Sequence, residues 1–261
     1  MLKTFVKHEM KSTGRTMGAV YAVYVVATVL ACIFSFLKHY AGGGFSDGLW
    51  SVTFVFYVVT LVILTVASMI YLCWKFYYTM YSAQGYLTHT LPVKTSWILN
   101  CKILVSAFFF LATCVVCMLS AAITGVVVTG EGADAITEVV KLTAAEGAKA
   151  FDVHQTVFVI FMAAIICLTS LGYLLMFFAG SSIGQLSKRS KGAAGIAAGI
   201  GLYYVSQIVT VILIGVCYVI FRQVVTPGKA VLIGALMLEL FWVCVYYAIA
   251  RVILFRHLNL E

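Results

Sequence analysis

Six stretches of this chain are apolar for longer than the hydrocarbon core of a bilayer requires, and they leave little sequence over for anything else. A spanning helix needs about 20 mostly apolar residues. Met17–Leu37, Trp50–Trp74, Ile103–Thr129, Thr156–Gly180, Ala193–Phe221 and Val231–Ala250 each meet that length. Together they hold one acidic residue, Glu239, and no Lys or Arg. Their apolar runs are continuous and not alternating, which selects helices over a barrel of strands. With 63% hydrophobic and 10% charged residues, a chain of 261 residues cannot clothe its surface in water, since a soluble domain carries about 25% charged residues. A soluble enzyme, a nucleic-acid-binding domain and a disordered chain are excluded on that ground. The expected fold is an all-α integral membrane protein with six transmembrane helices, forming one membrane domain over residues 17–261.

Orientation follows from the basic residues. Segments 1–16, 75–102, 181–192 and 251–261 lie on one side and hold twelve of the 17 Lys and Arg, and the other side holds five. The richer side is expected to be cytoplasmic, with both termini inside. The loop 130–155 is then external and acidic, and it can form a short amphipathic helix with Ile136, Val139, Val140 and Leu142 on one side. The amino-terminal stretch does not read as a cleavable signal, because its apolar run is long enough to span and no small-residue cleavage site follows a short core.

The motifs of on-chain chemistry are missing. The sequence has no GxxxxGK[ST], HExxH, GxSxG or DxDxDG element, so neither a P-loop nor a zinc-protease or hydrolase site is expected. His8, His39, His89, His154 and His257 all lie outside the spans, and no metal site is expected. Seven of the eight cysteines fall in or at the ends of apolar runs, and Cys101 lies just before one. Cys114 and Cys117 form a CxxC within hydrocarbon and without a second pair, which reads as packing. The chain is therefore not expected to be an enzyme or to bind a cofactor or nucleic acid itself. Glu239 is the candidate intramembrane polar site, and Gln207 or Ser206 of the fifth span could supply hydrogen bonds to it.

Two segments on the basic side are unusual. In residues 1–16, Leu2, Phe5, Val6 and Met10 recur at helical spacing with Lys3, Lys7 and Lys11 on other faces. That pattern reads as an amphipathic helix in the membrane interface, with its cations toward anionic lipid headgroups. Residues 75–102 form the longest loop on this side and are rich in Tyr and Leu. Gly85 permits a tight turn, Leu91-Pro92 interrupts a helix, and Thr95 or Ser96 can cap the helix that follows.

Gly85-Tyr86-Leu87-Thr88-His89-Thr90-Leu91-Pro92-Val93, followed by Trp97-Ile98-Leu99 and Lys102, resembles the GYLTxTLPV…LLxxK signature of type-2 ABC transporter permeases. The opening Phe5…Lys7-His8-Glu9-Met10-Lys11…Gly14-Arg15-Thr16-Met17 is similar to the start of such permeases in Gram-positive bacteria. The resemblance implies a cytoplasmic coupling helix between spans two and three, carrying Gly85, Tyr86, Leu87, Leu91 and Pro92. It further implies two separate ABC ATPase subunits that bind the ATP and Mg, a second permease, identical or related, and residence in a bacterial cell membrane. The implied function is export of an amphiphile such as an antimicrobial peptide, a drug or a lipid-like molecule. The sequence departs from many members in one respect: only residues 222–230 separate spans five and six, which leaves little room for a re-entrant helical pair. A nucleotide-independent carrier or channel and a non-transporting sensor or assembly factor are the alternatives. A carrier would show repeats, broken helices and more buried polar groups.

Overall fold

The computed structural model describes residues 2–41, 44–82, 85, 95–129, 133–187, 191–221 and 227–256. Seven helices account for nearly all of them: α1 (Leu2–Ala41), α2 (Gly44–Tyr81), α3 (Thr95–Thr129), α4 (Ala133–Ala150), α5 (Gln155–Gly184), α6 (Lys191–Phe221) and α7 (Pro227–Arg256). All except α4 are long and apolar enough to cross a membrane. The described residues contain no strand.

The helices outrun the apolar stretches that announced them. α1 is a single helix of 40 residues, about 60 Å at 1.5 Å per residue. No interruption of helical backbone separates residues 2–16 from the span that follows. Within that first part Val6 is half-buried, Met10 is exposed, and Thr13 is buried. The side chains of Leu2 and Phe5 lie outside the described residues. α2 continues seven residues past Trp74 to Tyr81, and α3 begins at Thr95 and not at Ile103. Hydropathy marks where the residues turn polar or aromatic, but nothing in Lys75–Tyr81 opposes a helix. Within the expected loop 75–102, residues 75–81 thus belong to α2 and residues 95–102 to α3. No additional helical pair lies between α6 and α7 among the described residues.

The side chains are arranged for lipid. On α1 the buried positions are Thr13, Met17, Tyr24, Thr28, Ala31 and Ser35, while Val23, Val25, Val26, Val29, Leu30 and Ile33 are exposed. A water-soluble helix would have the reverse pattern. The hydroxyls are satisfied along their own helix: Thr13 donates to Glu9 O at 2.9 Å, Thr28 to Tyr24 O at 2.7 Å and Ser35 to Ala31 O at 2.8 Å. Such back-bonding meets the requirement that no polar group be left bare in hydrocarbon.

The chain forms two compact units. The first comprises residues 1–71 and 108–142, and the second comprises residues 72–107 and 143–261. In the first, Tyr24, Ala31, Tyr57 and Leu61 form the core, with Val20, Tyr21, Leu64 and Val116 packed on it. Hydroxyl pairs join the three helices turn by turn. Tyr21 donates to Phe109 O at 2.9 Å, and Tyr24 meets Thr65 at 2.8 Å. Ser120 on α3 bonds both Thr28 of α1 and Tyr57 of α2. At the far end Trp50 donates to Ser35 at 3.2 Å, and the Lys38 ammonium sits 3.7 Å from the Trp50 ring centre. This is the setting of an aromatic anchor at a membrane boundary.

The first half of α4 shows its apolar side outward: Val139, Val140 and Leu142 are all exposed. The expected amphipathic helix is present, but it is Ala144 and Ala148, of the second unit, that are buried. Small side chains allow that part of the helix to pack closely, and the larger ones remain outside.

Candidate functional site

The second unit is built on α5, α6 and α7, with α5 packing extensively against the other two. Glycines set the α5–α6 distance. A Cβ on Gly180 would come within 2.7 Å of the Gly199 Cα, and one on Gly184 within 2.5 Å of the Gly195 Cα. Real Cβ atoms do not approach backbone so closely, so these four positions form facing notches of the small-xxx-small type. Gly195 and Gly199, four residues apart on α6, thus pack against α5 of the same chain.

Glu239 lies on α7, half-buried, with a carboxylate oxygen 3.6 Å from where a Cβ on Gly172 of α5 would stand. Tyr173 follows Gly172 on α5, and Tyr246, buried, lies two turns beyond Glu239 on α7. Buried Ser206 of α6 donates its hydroxyl to Tyr203 O at 2.7 Å. Trp242 donates through Nε1 to Thr210 of α6 at 2.8 Å and stacks on Tyr246 with ring centres 5.5 Å apart. All three helices therefore contribute polar or aromatic groups around one carboxyl. Among the described residues that carboxyl has neither a hydrogen bond nor an ion pair. Ser206 is committed elsewhere, and Gln207 is exposed, so neither supplies the hydrogen bond that the sequence suggested. A half-buried carboxyl in this setting is suited to meeting a cationic or hydrogen-bonding group that arrives from outside.

Trp242 and Tyr246 are legible in the sequence as sharing the Glu239 side of one helix. Gly172, Tyr173, Tyr203 and Thr210 are not, because they belong to two other helices. The one signal for them is a polar residue recurring in otherwise aliphatic spans.

The segment that joins α2 to α3 is fastened at both ends. Phe76 of α2 stacks on Phe178 of α5 with ring centres 4.0 Å apart and planes 9° from parallel. One turn later the Tyr81 hydroxyl meets Ser182 at 2.7 Å. On α3, buried Lys102 donates to Thr79 of α2 at 2.8 Å, and Asn100 accepts from Tyr247 of α7 at 2.8 Å. Gly85 is buried, and its N–H donates to Ser82 O at 2.6 Å. Tyr86, Leu87, Leu91 and Pro92 lie outside the described residues. Gln185 closes α5 as its C-cap and is buried, and both polar atoms of its side chain are without a hydrogen-bond partner among the described residues.

No group of three or more His, Cys, Asp and Glu side chains among the described residues is placed to hold a metal ion. Comparison with protein-family models, with curated proteins and with solved structures finds no match.

Proposed function

We propose that this chain is the membrane permease subunit of an ATP-binding cassette exporter, with both termini cytoplasmic and residues 82–94 receiving a separate ATPase subunit. The chain has no nucleotide motif, so work from ATP has to enter through a cytoplasmic contact. The observation that carries the reading is the fastening of the helix ends on either side of 82–94. The Phe76–Phe178 stack and the Tyr81–Ser182 bond tie the end of α2 to α5, and the Asn100–Tyr247 bond ties the start of α3 to α7. A push on 82–94 would reach the helices that surround Glu239. The GYLTHTLPV sequence of this segment supports the same reading. Two ATPase subunits and a second permease, identical or related, complete the assembly in a bacterial cell membrane. The cargo is an amphiphile, in keeping with the aromatic and apolar composition.

The test is replacement of Leu87 and Leu91 by Asp in the full chain. Membrane insertion is expected to persist and co-purification of a co-expressed ABC ATPase subunit to be lost, because a few buried anchors carry most of such an interface. Unchanged ATPase binding by the double variant would place coupling elsewhere. A nucleotide-independent carrier is the second reading, favoured by the Glu239 carboxyl, which makes no hydrogen bond or ion pair among the described residues. Transport that persists without any ATPase and follows a proton gradient would decide for it.

A further inference from the structure

A groove of about 1000 Å³ opens where the end of α4, the turn after it, and the first turns of α5 and α7 meet, all within the second unit. Its walls are tightly constrained. The turn closes through Phe151 N to Gly147 O at 3.0 Å and Val153 N to Ala148 O at 2.9 Å, with Asp152 in the left-handed region at a φ of 51°. Gly147 lies beneath the Phe158 ring, where a Cβ would come within 2.4 Å of it. Gly228, at the start of α7, lies against the backbone of Phe151, where a Cβ would come within 2.5 Å of the Phe151 Cα. A bond from Lys229 to Asp152 at 3.1 Å joins α7 to the turn.

The lining divides into two halves. One is polar and carries Lys149, Lys229, His154 and Asp152. The only carboxylate among the described lining residues is already matched by Lys229, and Lys149 makes no ion pair among the described residues, so this half has a net positive charge. The other half is apolar, with Val157 and Phe161 on α5 and Leu232 and Ile233 on α7. These residues open two spanning helices, so the groove crosses from the polar end of the helices into their apolar length. Phe161 lies seven residues into α5, about 10 Å along its axis. A soluble anion would leave the apolar half bare, and a neutral lipid would leave the lysines unmatched.

We propose that this groove holds one anionic phospholipid of the surrounding leaflet, with its phosphate between Lys149, His154 and Lys229 and its chains along Val157, Phe161 and Ile233. Charge complementarity and the polar-to-apolar succession identify the occupant. The inference goes beyond the exporter reading and does not depend on an ATPase, so the two can fail separately.

The test uses native mass spectrometry of the purified full chain after equilibration in vesicles of equal phosphatidylglycerol and phosphatidylcholine. The wild type is expected to retain phosphatidylglycerol about tenfold over phosphatidylcholine, on the scale of two lysines acting on an anionic headgroup. Lys149→Ala combined with Lys229→Ala should abolish the preference. Asp152→Asn breaks the same ion pair and keeps both cations, so it should preserve or raise the preference. Equal retention of the two lipids by the wild type overturns the proposal. So does loss of the preference in Asp152→Asn, which would reduce the ion pair to a structural clasp, and so does a lipid-free dimer covering the groove. Glycerol phosphate added at millimolar concentration should not displace the lipid. If it does, the groove reads a free anion and not an amphiphile.

Discussion

The two units hold their helices together by different chemistry. Lipid offers no hydrophobic drive for one apolar helix to bury against another, so association has to come from hydrogen bonds or from close packing. The first unit uses hydroxyls: Ser120 reaches both neighbours, Tyr24 reaches Thr65, and Tyr21 reaches the Phe109 carbonyl. The second unit also has interhelical bonds, such as Tyr81–Ser182 and Trp242–Thr210, but it adds backbone notches that set Gly180 and Gly184 of α5 against Gly199 and Gly195 of α6. The consequence is a difference in what is left over. In the first unit most buried polar side chains are paired, and Thr124 Oγ1 is the exception among the described residues. The second unit leaves the buried Gln185 amide without a hydrogen bond among the described residues, and the half-buried Glu239 carboxyl stands beside Gly172. Backbone packing holds helices without consuming polar groups.

The sharpest way to break this comparison is to fill a notch. Gly184→Val places branched carbons where even a Cβ would stand 2.5 Å from the Gly195 backbone. Neither helix can yield by turning a side chain, so the helices have to separate. Overpacking usually costs 1–3 kcal/mol and more where backbone is met. A loss of at least about 3 kcal/mol is expected in a detergent-unfolding assay, and cysteine pairs placed across α5 and α6 should no longer crosslink. Retention of wild-type stability would mean that the notches do not touch.

The hydroxyl network should give a smaller effect. Ser120→Ala removes one atom that serves both Thr28 and Tyr57. Single interhelical hydrogen bonds in membranes average about 0.6 kcal/mol and reach about 1.7, so a loss of about 1 kcal/mol is expected. Because both partners share Ser120, adding Tyr57→Phe should cost less than the sum of the two single changes. Full additivity would show that the Tyr57 hydroxyl has another role.

Much of the frame can be read from the chain, and the reasons why the rest cannot are physical. Six spanning helices follow from apolar length alone. Their ends do not, because hydropathy records where lipid stops and not where hydrogen bonding along the helix stops. Lys75–Tyr81 is polar and aromatic yet helical, held by Phe76 on Phe178. The Gly195–Gly199 spacing is visible in the sequence. Its partner is not, since Gly180 and Gly184 close the preceding span and look equally suited to a second copy of the chain. Glu239 stands out as a lone acid among aliphatic residues, but its surroundings come from α5 and α6, and periodicity within one helix carries no information about a neighbour.

A milder change separates close packing from helix propensity. Gly201 lies on α6 two residues beyond Gly199, is exposed, and has open space for 4 Å around the place a Cβ would take. Gly201→Ala meets no neighbour and relieves the entropic penalty of glycine in a helix, which is about 0.5–1 kcal/mol. A gain of up to about 0.5 kcal/mol is expected in the same unfolding assay. A loss comparable to that of Gly184→Val would show that α6 is crowded on this face as well, and the distinction between notched and open glycines would fall.

The smallest effect on stability is expected at Glu239, where the functional effect should be large. The carboxyl holds no hydrogen bond or ion pair among the described residues, so Glu239→Gln removes no bond. Gln has nearly the same shape and keeps a polar end beside Gly172, Tyr173 and Tyr246. Stability should stay within about 0.5 kcal/mol of wild type, the usual range for a change away from any paired feature. The lost property is the ability to ionise, together with the attraction of a carboxylate for a cationic group on the cargo. On the proposed exporter reading, transport measured in proteoliposomes with an ABC ATPase subunit should therefore fall while folding and ATPase binding are unchanged. A fall in stability of about 2 kcal/mol or more would instead assign the carboxyl to helix packing. Unchanged transport in a stable variant would remove Glu239 from the path and leave the cluster of Tyr173, Ser206, Trp242 and Tyr246 as a purely structural contact.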